Sequence, residues 1–222
     1  MAPGAPRGRA WGFGGASDSV AAARVNGVEA ALRLIAGELT ATRRPWALVG
    51  GLAVSARAEP RTTRDVDVVV AVPDDPAAEA FVLELRARGF RAQSAIEQDA
   101  RGRLATVRLV TPGEPAHGTV VDLLFASSGI EAEVAARATP IEILPGLVLP
   151  VASIGHLLAL KVLARDDRRR PQDLGDLRGL LREADAADRA EARHAIEQIE
   201  ARGYSRGRDL QALFDEVLVD DA

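Results

Sequence analysis

Residues Trp46 to Val72 read WALVGGLAVSARAEPRTTRDVDVVVAV, and the fold turns on how this stretch is read. A short apolar run ends in Gly50 and Gly51, a short helix follows, and a second apolar run carries Asp65 and Asp67. Alternate residues of a strand share a face, so the two carboxylates project from one side with Cα atoms about 6–7 Å apart. Like charges ~4 Å apart repel by ~4 kcal/mol at an effective dielectric of about 20, and a bound divalent cation turns that cost into binding energy. Paired glycines leave no side chain between backbone amides and an anion. The plainer alternative puts Asp65 at the end of a turn and Asp67 on the wet face of an edge strand. It leaves the glycine pair upstream of R-x-T-x-D-x-D unexplained.

Other parts of the chain add to this. Asp122 is a lone carboxylate inside the β-type run TVVDLLFA (residues 119–126). Lys161 is the single lysine among 28 basic residues, and it lies in SIGHLLALKVLARDDRRRPQDLGDL (residues 153–177). A compact ammonium suits a triphosphate as a point charge, whereas a guanidinium prefers planar, bidentate partners; a lysine snorkelling from an amphipathic helix is the competing explanation. Pro171 opens a helix whose first turn holds Asp173 and Asp176, where carboxylates are favoured by the helix N-terminus alone.

These residues resemble the nucleotidyltransferase superfamily, and within it the AbiEii-like toxins and related minimal nucleotidyltransferases. Gly50, Gly51, Arg61, Thr63, Asp65 and Asp67 carry the likeness, with Asp122 and the K-x-x-A, Arg-rich, D-x-x-D segment downstream. The resemblance implies a polymerase β-like core and magnesium-dependent transfer of a nucleoside monophosphate from an NTP, releasing pyrophosphate. It implies two Mg2+ ions held by Asp65, Asp67 and Asp122, a triphosphate against Gly50 and Gly51, and roles for Lys161, Arg61 and Asp173 around it. Many members have serine as the second residue of the turn, where this chain has Gly51. Ser55 is either a substitute phosphate contact or a small packing residue. The implied acceptor is RNA, tRNA in particular, and a cognate antitoxin is the implied partner. A small-molecule (antibiotic) nucleotidyltransferase and a non-catalytic nucleotide- or partner-binding member are the alternatives.

Composition bounds these readings. A chain of 222 residues with 47% hydrophobic content can bury a compact core. Without cysteine there is no disulfide, thiolate metal site or Cys nucleophile. A net charge of −4 gives no global basic field of the kind that announces a nucleic-acid binder. Arg165, Arg168, Arg169 and Arg170 form a local patch, but Asp166 and Asp167 interleave with it, so a phosphate contact and a solvated turn both fit. No apolar run is long enough to span a bilayer and the start lacks an apolar leader segment, which predicts a cytoplasmic protein with no membrane partner. His117, His156 and His194 have no metal-ligand spacing.

Apolar periodicity predicts an amphipathic helix from Val20 to Thr40, strands near 46–50, 64–72, 90–95, 103–110 and 118–126, and helices at 52–58 and 75–88. Helices are expected again at 128–137, 153–165, 171–184, 187–202 and 206–219, with IEILPGLVLPVAS (141–153) extended around a Pro145/Gly146 turn. The fold class expected is α+β, a mixed sheet with helices packed on it. A tail at 1–18, a nucleotidyltransferase core at 19–150 and a C-terminal helical lobe at 151–222 complete the division.

Overall fold

The computed structural model describes residues 16–98, 101–115, 118–166 and 172–220. Residues 1–15 of the tail expected at 1–18, His117 and the arginines at 168–170 lie outside the described residues, while residues 16–18 open a helix. The chain opens with helix α1 (Ala16–Thr42), whose Ala31, Leu32, Ile35 and Leu39 recur at helical spacing and are fully buried. Strand β1 (Trp46–Val49) runs straight into α2 (Gly50–Arg57), followed by β2 (Asp65–Val70), α3 (Asp75–Ala87), β3 (Arg91–Gln98), β4 (Arg103–Val110) and β5 (Val120–Leu124). Asp74 caps α3 by accepting from Ala77 N at 2.9 Å, and Phe81 and Leu85 bury its inner face.

Two strands and a set of helices follow: α4 (Glu131–Ala136), β6 (Thr139–Leu144), β7 (Leu147–Val151), α5 (Ile154–Ala164), α6 (Gln172–Glu183), α7 (Ala186–Ala201) and α8 (Leu210–Asp220). The seven strands among the described residues form one mixed sheet in the order β3-β4-β5-β2-β1-β7-β6. The extended stretch after residue 140 therefore closes a hairpin at Gly146 (φ 73°) and adds two strands to the sheet, a placement that local pattern did not reveal. Strand β7 lies parallel to β1, and Ala152 N continues the ladder to Leu48 O at 3.1 Å. Ser153 then caps α5 by accepting from His156 N.

Two registers matter for the site. Strand β2 pairs parallel to β5 with Asp67 opposite Asp122, and β5 pairs antiparallel to β4 with Asp122 opposite Arg108. Directly paired residues point to the same face, so Arg108, Asp122 and Asp67 form one row across three strands, about 4.8 Å apart per step. On the other side of β2, Asp67 is paired with Val49, the last residue before the glycine turn. No helix among the described residues is long and apolar enough to cross a membrane.

Candidate active site

The antiparallel pairing of β1 with β2 sets Gly50 directly against Asp67. Gly50 takes φ +63°, and a Cβ placed there would lie 1.9 Å from Asp67 Oδ2. Only glycine leaves this space open. Next to it, a Cβ on Gly51 would meet Arg61 Nη2 and Thr63 Oγ1 at 2.8 Å. Helix α2 starts at this turn with Val49 as N-cap, no side-chain cap and no acidic residue in its first turn. Among the described residues no side chain caps its first amides, which suits this helix N-terminus to an anion.

Asp65 and Asp67 share the face of β2 opposite to that of the buried Val66 and Val68. Burial pushes the Asp67 carboxyl up to about 6, and the charges of Asp122 and then Asp65 add to it, while Lys161 and Arg108 pull the other way. Part of the Asp67 residue still meets solvent, so its charge is held back by depth and crowding rather than by full enclosure. A carboxyl raised above its usual range by burial and by two acidic neighbours is short of positive charge, and a divalent cation fits that need.

Asp122 differs. Its two oxygens accept from Arg108 Nε at 2.8 Å and Arg108 Nη2 at 2.6 Å, a bidentate pair with the carboxylate largely buried. The hydrogen bond to Asp122 holds the guanidinium more firmly protonated than usual, and the charges of Asp122, Asp65 and Asp67 reinforce it. Among the described residues, no three His, Cys, Asp or Glu side chains are gathered as a ready cation cage. The expected trio of Asp65, Asp67 and Asp122 thus shares one face of the sheet, but its third carboxylate is already engaged.

Lys161 projects from α5 between two carboxylates of α6, with Nζ at 2.9 Å from Asp173 Oδ1 and 2.6 Å from Asp176 Oδ2. Asp176 also holds Arg61, Nε to Oδ1 at 2.6 Å and Nη2 to Oδ2 at 2.9 Å. The loop before β2 is thereby tied to the C-terminal helices. Asp173 Oδ2 is buried without a hydrogen-bond partner among the described residues. Asp173 and Lys161, both given roles by the resemblance, are in contact. Asp176, passed over in favour of Asp173, is the more connected of the two.

Ser55 needs correcting as a phosphate contact. Its one hydroxyl proton lies within donating distance of Gly51 O (3.0 Å) and Arg61 O (3.3 Å), and its oxygen accepts from Arg61 N (3.2 Å), so it staples α2 to the following loop. Thr63 likewise supports the loop, through Asp65 O at 3.5 Å. His156 is a buried structural residue bonded to Ser153 Oγ at 2.9 Å, and burial lowers its pKa. Arg108 escaped the sequence reading altogether. The only signal was a cation inside the apolar run RLATVRLV, and its meaning depends on a cross-strand register. A hollow of about 620 Å³ lined by Val72, Arg103, Phe125, Arg202 and Tyr204 lies past the far ends of β2 and β5 and contains none of these carboxylates.

The model of the nucleotidyl transferase AbiEii toxin family, from type IV toxin–antitoxin systems, matches residues 33–222. Among solved structures, an antigenic nucleotidyltransferase-like protein from Paracoccidioides brasiliensis is 18% identical, with a TM-score of 0.53 over 86% of this chain and 93% of that one. At that identity the likeness is one of fold. An H. pylori protein assigned as a nucleotidyltransferase aligns at 15% identity and TM-score 0.46, covering 88% of this chain and 92% of its own. The lincosamide antibiotic adenylyltransferase LnuA aligns at 12% and 0.43, covering 69% and 96%. No curated protein matches the chain.

Proposed function

The chain belongs to the AbiEii nucleotidyl transferase toxin family and is a nucleotidyltransferase; from that premise we propose that it moves a nucleoside monophosphate from an NTP to RNA, of the tRNA class, with Mg2+. The observation that carries this reading is the under-neutralised pair Asp65 and Asp67 set against the open amides of the Gly50–Gly51 turn. In the reaction the acceptor oxygen bonds to the α-phosphorus, the α–β bridging bond breaks, pyrophosphate leaves and the acceptor hydroxyl loses its proton.

Each group has a part suited to its position. Gly50, Gly51 and the first turn of α2 bind the triphosphate through main-chain donors. Asp65 and Asp67 hold the cation, which when bound polarises the phosphoryl oxygens and eases deprotonation of the acceptor. Lys161, oriented by Asp173 and Asp176, and Arg61, held by Asp176, bring positive charge to the side of the turn where pyrophosphate departs. The toxin–antitoxin description of the family supports a cognate antitoxin as partner.

The test is incubation with Mg2+ and each α-labelled NTP against separate pools of tRNA, protein and aminoglycoside. Label should pass to tRNA and vanish in Asp67→Ala. Nucleotide binding with transfer to none of the pools would contradict the reading, and transfer to a different pool would replace the acceptor.

A further inference from the structure

The row across β4, β5 and β2 places a fixed cation at its outer end. Arg108 spends both forks of its guanidinium on Asp122, at 2.8 and 2.6 Å, and the two residues are register partners, so the backbone ladder itself brings them together. Asp122 is in turn the register partner of Asp67. Asp65, Asp67 and Asp122 face the guanidinium of Arg108, and with the three carboxyls ionised this group of four carries two net negative charges. One divalent cation cancels them; a second would overshoot and would have to displace a bidentate, largely buried ion pair, which is costly to break one-sidedly.

On the nucleotidyl-transfer reading above, we infer that Arg108 stands in for one of two metal ions, so that the site takes a single divalent cation on Asp65 and Asp67. Asp122 is then a positioning residue that presents Arg108, and not a metal ligand. The side-chain guanidinium is 41% exposed while its Asp122 partner is 11% exposed, so the arginine's outer edge also remains open to an anionic substrate group.

Mn2+ alone, titrated into the purified full chain and followed by electron paramagnetic resonance, reads this without any turnover. The wild type should bind one ion per chain. Arg108→Gln, which frees Asp122, should gain a second. Arg108→Lys, which keeps the charge, should stay at one. The double variant Arg108→Gln/Asp122→Asn removes both partners of the pair and should bind one ion about as tightly as the wild type. Two ions in the wild type, or weaker binding in the double variant by tenfold or more, would make Asp122 a ligand and overturn the inference. Failure of Arg108→Gln to gain an ion would overturn it as well. Asp67→Asn should lose the ion in every background; absence of Mn2+ binding in the wild type would instead bring down the cation reading beneath it, a distinct failure. Thermal melts in EDTA identify any variant that does not fold, and the remaining variants still decide.

Discussion

The two glycines of the turn look onto two clusters of charge that settle their accounts differently. Gly50 abuts Asp67, in a cluster of Asp65, Asp67, Asp122 and Arg108 that is short by two positive charges. Gly51 abuts Arg61, in a cluster of Arg61, Lys161, Asp173 and Asp176 where two cations meet two carboxylates and the sum is zero. The second cluster is complete and joins the sheet to the C-terminal helices. The first, on the proposed reading, awaits a cation from outside. The second braces the fold and, on the same reading, presents Lys161 and Arg61 to the triphosphate.

The sharpest way to break this contrast is to strip the incomplete cluster. Asp67→Ala should cut nucleotidyl transfer by about a thousandfold or more while circular dichroism stays unchanged. A loss below tenfold would move the chemistry elsewhere. In the complete cluster the same kind of change should damage the fold instead: Asp176→Asn takes the carboxylate charge from Arg61 and leaves Lys161 with Asp173 alone, and should cost about 2–4 kcal/mol in denaturant unfolding.

A smaller effect has the opposite sign. Asp67 holds its proton up to about pH 6 in the folded chain, against 3.8 for the unfolded group, so the folded state binds more protons in that window and stability falls as pH rises through it. Asp67→Asn should therefore stabilise the metal-free protein by about 1–2 kcal/mol at pH 8, allowing for the residue's partial exposure, and by little at pH 4. Urea titrations in EDTA at both values check this; a destabilised variant at pH 8 would mean that Asp67 is already well neutralised. Smallest of all, Arg44→Ala breaks an exposed pair with Glu84 (3.1 Å) and a stacking contact on Phe81, and should cost about 1 kcal/mol or less with transfer unaffected.

Much of this was legible in the chain. The D-x-D pair, the glycine turn and Lys161 announce themselves because they break local apolar or compositional patterns. Helices such as α3 and α5 could be placed to within a residue or two of their ends. What escaped depends on pairing between distant segments. Arg108 means nothing until β4 is laid against β5 in register, and the stretch holding β6 and β7 reads only as extended until β7 docks beside β1. Ser55 stayed open between phosphate contact and packing residue because a hydroxyl one turn into a helix looks the same in sequence whether it faces a ligand or, as here, closes on the backbone of its own loop.

The most direct measurement is the anomalous scattering of Mn2+ in crystals grown with a non-hydrolysable NTP. The expected result is one ion between Asp65 and Asp67, with the triphosphate on the amides of Gly50 and Gly51 and Arg108 still on Asp122. An ion among Lys161, Asp173 and Asp176, or a triphosphate bound away from the glycine turn, would contradict the account.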